Sequence, residues 1–399
     1  MSTSLASIPR SRIAIVLGAG FRPFFLAATV WAAIALALWV GMLQGEISLP
    51  TRFAPVPWHI HEMLFGFVLA SVAGFLLTAI PAWTGRQPVK GWRLAVLAGL
   101  WLLGRIATLL SSFMPAWLAV AVDLSFSVAL CVVVAHEIVA ARNWRNLGIV
   151  VPVSIFAAAN LLMHVEAADV AVPAGLGWRL GIAAPIILIS VIAGRIVPAF
   201  TRNWLAARGS RELPARSDWL DRTALAVLAV AMIGWACFPA WRPLGYLLVL
   251  AGLLHGIRLS HWRGVATARE KLLLILHIAY AWLVLGVALL GLALLAPAVP
   301  LPAALHALTA GAIATMILAV MTRVTLGHTG RALTADGATM AIYVLVMLAA
   351  LLRIAAAVAG AAVATPLLTL SAAAWIGAFG AFAIVYGRML AAPRADAHA

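Results

Sequence analysis

The chain has 399 residues, 65% hydrophobic and 10% charged, with 27 Lys and Arg against 12 Asp and Glu and a formal net charge of +15. Soluble domains run nearer ~45–50% apolar and ~25% charged, so this composition, with a mean hydropathy of +1.08, excludes a water-soluble fold of this length. The two cysteines, Cys131 and Cys237, both sit in apolar runs, which excludes a disulfide framework and a CxxC metal knuckle.

Arg10 and Arg12 precede an apolar patch from Ile13 to Gly18. That patch is too short for a signal-peptide core followed by a cleavage site, so no cleaved targeting peptide is expected. Windows of about 20 apolar residues, the length that crosses a hydrocarbon core, then follow one another. Helix 1 is predicted at 23–43. Helix 2, at 59–82, opens on Trp58-His59-Ile60-His61-Glu62-Met63 and closes on Ile80-Pro81-Ala82-Trp83-Thr84-Gly85-Arg86. Helix 3 (93–113) carries Arg105, helix 4 (117–140) Asp123 and Glu137, and helix 5 (147–165) ends at His164. Helix 6 (177–200) opens on Trp178 and carries Arg195. Helices 7 to 9 are predicted at 219–238, 244–261 and 272–296, the last with His277. Helix 10 (302–326) opens on His306, helix 11 (338–361) carries Arg353, and helix 12 spans 367–390. The fold class is therefore all-α, a polytopic membrane bundle of about 12 transmembrane helices.

With twelve crossings, 21 of the 27 Lys and Arg fall on the face that holds the N-terminus. Only Arg52, Arg179 and Arg242 fall on the other, and Arg105, Arg195 and Arg353 lie within helices. Basic residues collect on the cytoplasmic side of a membrane protein. The expectation is a bacterial inner (cytoplasmic) membrane protein with both termini cytoplasmic. The charge is thus a topological signal, and membrane lipids rather than nucleic acid are the expected surroundings.

The chain reads as one transmembrane domain, 1–399, with internal repeats at about 22–141, 142–261 and 262–390. Setting Thr84, Thr201 and Thr329 level places His61, Trp178 and His306 level at the opposite ends of helices 2, 6 and 10. Leu103-Gly104-Arg105-Ile106-Ala107 matches Leu351-Leu352-Arg353-Ile354-Ala355 in helices 3 and 11.

Once the topology is set, His59, His61, His164 and His306 share the outer depth. Neutral imidazole is a common ligand of haem iron, copper and zinc, so these four are candidate metal and cofactor ligands; the alternative is interfacial histidines bonded to loops and headgroups. Positions two apart on a helix differ by about 200°, which assigns His59 and His61 to different centres. The expectation is that His61 and His306 clamp one haem axially, with His59 and His164 serving a second centre. Arg105 and Arg353 are costly in hydrocarbon and face either haem propionates or an acid such as Asp123; both readings stand. Glu137 is the expected partner of Arg195. His277 and His328 are a secondary candidate pair at the cytoplasmic end. No P-loop, GxGxxG, CxxCH, HExxH or GxSxG occurs, so any haem is non-covalent.

Phe21-Arg22-Pro23-Phe24-Phe25, Trp58 to Gly66, Gly74-Phe75-Leu76-Leu77-Thr78-Ala79, Gly194 to Asn203, His306-Ala307-Leu308-Thr309, Met321-Thr322-Arg323 and Gly327-His328-Thr329-Gly330-Arg331 together resemble the NnrS family. Ala82 departs from the Asn expected before Trp83. The resemblance implies a twelve-helix inner-membrane protein containing haem b, with one or two haems, and copper, tied to nitric oxide metabolism and denitrification. Three four-helix units with histidines on helices 2 and 10 also resemble the catalytic subunit of haem–copper oxidases. Trp178 in place of copper-binding histidines on helix 6 argues against an oxidase-type copper centre. The expected function is to bind nitric oxide, or another small ligand, and either reduce it with electrons from a respiratory donor or hold it away from other iron centres. The alternatives are a haem or copper transporter and an assembly partner of a respiratory complex.

Overall fold

A computed structural model describes residues 11–214 and 218–398; Arg10 and Arg216 of the basic tally lie outside the described residues. Among the described residues, twelve helices are long and apolar enough to cross a membrane, as their composition requires. They are α1 (Phe21–Gln44), α2 (Pro55–Thr84), α3 (Trp92–Leu109), α4 (Ala116–Ala140), α5 (Trp144–Ala167) and α6 (Leu176–Ala206), then α7 (Trp219–Cys237), α8 (Pro243–Ser260), α9 (Lys271–Leu295), α10 (Leu301–His328), α11 (Gly337–Val358) and α12 (Ala361–Leu390). The stops follow local chemistry. Gly45 and Gly85 take positive φ just past α1 and α2, where a side chain would be strained. Asp218 caps α7 by accepting from the amides of Leu220 and Asp221.

Helices consecutive in sequence pack on one another, and α12 returns to pack on α1, closing the bundle. Three helices lie inside: 78% of the α2 window, 67% of α6 and 72% of α10 is buried, against 28–44% for the other nine. These three touch one another along the centre. The outer helices keep apolar side chains such as Val132, Leu253 and Ile384 exposed, the face a hydrocarbon solvent accepts.

Both α2 and α10 change from α- to π-helical hydrogen bonding directly after the aligned histidines, over Glu62–Val68 and Ala307–Ala314. A π-turn adds a residue per turn and frees carbonyls from their usual partners. In α2 the Gly66 carbonyl accepts from Trp101 Nε1 of α3 at 2.9 Å. In α6 the same depth carries Pro185 within a continuous α-helix.

One expected pair is corrected. Glu137 accepts from Arg86 Nε at 2.5 Å, and Arg195 instead donates to Asn146 Oδ1 at 2.8 Å. Arg86 reaches Glu137 because α2 packs on α4, whereas α6 packs on α5, whose first turn carries Asn146.

Candidate functional site

The second turn of α2 puts His59 and His61 on different sides of the helix, and the structure gives each a separate neighbourhood. His61 is fully buried. Its Nδ1 meets Glu62 Oε1 at 3.0 Å, and its Nε2 meets Asn160 Oδ1 at 2.9 Å and Asp123 Oδ2 at 3.1 Å. His164 Nε2 reaches the same Asp123 oxygen at 2.9 Å. Arg105 bonds Glu62 Oε2 at 2.8 Å and Asp123 Oδ1 through its other nitrogen. Trp31 Nε1 donates to Glu62 Oε2 at 2.7 Å. Phe53 covers the pair from the α1–α2 loop, its ring 4.9 Å from His61 and 5.2 Å from His164.

Five helices, α1 to α5, contribute to this cluster, and close approach makes it possible. A Cβ on Gly104 would lie 2.8 Å from Asp123 Oδ1 and 3.3 Å from its Cα, so glycine lets α3 lie against α4. One guanidinium faces two buried carboxylates, which leaves one negative charge to be balanced in a medium where unpaired charge is expensive. Only oxygen acceptors face the His61 ring nitrogens. Either both ring N–H groups donate, or a cation sits among Nε2 of His61, Nε2 of His164 and Oδ2 of Asp123. Those ligand atoms all lie within 4.8 Å of one another.

His59 faces a different space. A cavity of about 330 Å³ lies between α1, α2, α6, α10, α11 and α12, and His59, His306, Arg353, Trp178 and Met63 all line it. The His59 ring stacks on Trp39 at 4.0 Å, and its Nδ1 is buried without a hydrogen-bond partner. His306 Nδ1 meets the Pro302 carbonyl at 2.7 Å. The hydroxyls of Thr309 and Ser371 are committed to the carbonyls of Leu305 and Ala349. The cavity therefore offers two imidazoles and one guanidinium in otherwise apolar walls. No carboxylate among the described residues pairs with Arg353.

The expected grouping is corrected accordingly. His306 shares its cavity with His59, and His61 instead joins His164. The physical reason is the helical register: the side of α2 that carries His61 points at α3, α4 and α5, where Asp123 and Asn160 hold it. Arg105 is an ion-pair residue and Arg353 a cavity residue, so the two arginines do not share a role. His277 is engaged by the Leu273 carbonyl and Thr201, while His328 packs on Phe21; no contact brings them together. Asn160 was not anticipated, since an amide in an apolar helix carries no metal-ligand signature.

These features define a class: a polytopic membrane protein with a buried histidine–carboxylate–arginine cluster beside a histidine-lined cavity, both at one end of the bundle. The profile described as NnrS protein matches residues 15–394, and the chain belongs to the NnrS family. No curated protein matches it in sequence.

Proposed function

We propose that this protein is a haem-binding inner-membrane protein of nitric oxide metabolism, with a non-covalent haem b in the histidine cavity and nitric oxide as its ligand. The observation that carries this reading is the convergence of His59, His306 and the acid-free Arg353 on one apolar space. Haem needs axial donors, for which imidazole serves, and its propionates match a guanidinium fork. His306, anchored through Nδ1 to Pro302, has the second-sphere bond that orients a metal-binding imidazole. A haem there would supply redox chemistry and a position for a diatomic ligand. His59, whose Nδ1 has no fixing partner, is the group placed to yield that position. Family membership supports the link to nitric oxide, and the basic asymmetry supports an outward-facing histidine end with cytoplasmic termini.

The second group fits a single small cation. Two imidazoles and a carboxylate are a donor set suited to copper or zinc, so His61 and His164, with Asp123, are the proposed metal ligands. Arg105 would hold the site's carboxylates in place.

Optical and electron paramagnetic resonance spectra of the purified protein test the haem assignment. A reduced-minus-oxidised Soret shift is expected. His306→Ala should lose haem. His59→Ala should keep haem but lose its low-spin signal, while His61→Ala leaves that signal unchanged. Loss of the low-spin signal in His61→Ala, with its retention in His59→Ala, would sink the assignment.

A further inference from the structure

The three interior helices border more than the histidine cavity. A second cavity of about 70 Å³ lies in mid-bundle, walled by Ser71 and Phe75 of α2, Ile192 and Ala193 of α6, and Met316 and Val320 of α10. A third, of about 470 Å³, shares Phe75, Ile196 and Val320 with the second and reaches Gly327 and His328, both exposed at the basic end. Towards the histidine end the separation is one helical turn. Val68 and Ile313 line the histidine cavity, and Ser71 and Met316, each three residues on, line the middle one.

The middle cavity is chemically uniform. Its one hydroxyl, Ser71, donates to the Phe67 carbonyl of its own helix at 2.9 Å, and the remaining lining is hydrocarbon and thioether. Apolar walls of this kind favour apolar guests over water. A hydrated ion would lose its water there and find no ligand. The nearest charge on this path, Arg323, lines only the third cavity and is held over the Phe200 ring at 4.4 Å. A small uncharged gas meets none of these penalties.

We propose that α2, α6 and α10 form an access route for a small apolar gas, running from the basic end through the mid-bundle cavity to the histidine cavity. The inference rests on the proposed function in taking nitric oxide as that gas, and it gives the site a supply path separate from its aqueous end. Ala193 sets the bore, because its methyl faces the middle cavity and is buried. Ile192 sets the opposite limit, since shortening it widens the same space.

Two measurements on the detergent-solubilised full chain test this. Xenon, followed by its nuclear magnetic resonance shift, should bind wild-type protein and lose that site in Ala193→Phe. In the haem-loaded protein, carbon monoxide recombination from solution after flash photolysis should slow by about tenfold in Ala193→Phe and quicken by about twofold in Ile192→Ala, with Soret bands unchanged. If Ala193→Phe does not fold, Ile192→Ala decides alone. Equal recombination rates in wild type and variants overturn the route. Absence of xenon from the wild-type mid-bundle overturns it whether or not haem is retained. Xenon bound there with no Soret band supports the cavity and overturns the haem assignment alone.

Discussion

Arg105 and Arg353 occupy matching sequence contexts on α3 and α11, yet their surroundings differ. Arg105 bridges Glu62 and Asp123, and removing one member of a buried ionic group leaves the others uncompensated, at about 3–5 kcal/mol. Arg105→Leu should therefore lower thermal stability in detergent and disorder the His61–Asp123–His164 group. Arg353 has no acid to abandon. Arg353→Leu should leave the melting temperature of haem-free protein within a few degrees, consistent with the ~0.5 kcal/mol or less typical of substitutions away from such networks. Its haem-to-protein ratio should fall while the axial spectrum of retained haem stays unchanged; full haem retention would count against a propionate role. The difference between the arginines was not legible in their sequence neighbourhoods, because it depends on which acids α2 and α4 bring within reach. Asp123 and His164 are 41 residues apart and share one oxygen only through the packing of α4 against α5. By contrast, the placing of these histidines at one end of the bundle was legible, since depth follows from the span. Their pairing was not, because it depends on which side of α2 faces which neighbour.

At the scale of the element, the π-turns of α2 and α10 account for the shape of the cavity. Leu64, Phe67 and Val68 of one turn and Thr309, Ala310 and Ile313 of the other line it. Hydropathy does not register a change from i+4 to i+5 bonding, so the apolar windows showed two ordinary helices here. Gly66 has the tightest surroundings in the α2 segment. A Cβ there would lie 2.4 Å from Trp31 Nε1 and 3.0 Å from Glu62 Oε2, the two atoms joined by the Trp31–Glu62 bond. Gly66→Ala should break that bond and shift Glu62 away from Arg105, with a loss of about 1–3 kcal/mol from overpacking. Trp31→Phe, which removes the indole N–H together with part of the ring, should cost at least about 1.5–3 kcal/mol because its partner is charged and a small void is left. A double-mutant cycle read by thermal melting checks the shared cause. If the two losses simply add, Gly66 acts through something other than Trp31. On the reading of three four-helix units, α6 holds the third equivalent place, where Pro185 and Trp178 stand without a histidine and Trp178 closes the cavity wall.

For the molecule as a whole, the hydrocarbon itself makes the helix count legible. Each span must satisfy its backbone internally, and each apolar window of sufficient length therefore becomes one helix. The window at 244–261, the shortest, is α8 at Pro243–Ser260. Helix ends moved by a few residues where capping and proline chemistry outweigh hydropathy: α2 begins at Pro55, ahead of its apolar window. Twelve crossings put the loops after Arg142 and Arg269 on one face and the loop at Asp169 on the other. Buried contacts account for two basic residues that a simple tally counts as loop charges. Arg22 donates to the carbonyls of Leu390 and Ala392, and Arg258 binds Asp221 and Tyr280; both are buried. Setting these two aside, the asymmetry still rests on residues such as Arg86, Arg142, Arg263 and Lys271 against Arg52 and Arg242. Reporter fusions following Arg142 and Arg269 should thus be active on the cytoplasmic side and one following Asp169 on the far side. Replacing Arg142, Arg145, Arg263 and Arg269 by Gln should weaken this orientation without changing the haem spectrum of the correctly inserted fraction. A cytoplasmic report at Asp169 would remove one crossing from the first half of the chain and place His164 and His59 at opposite ends of the bundle.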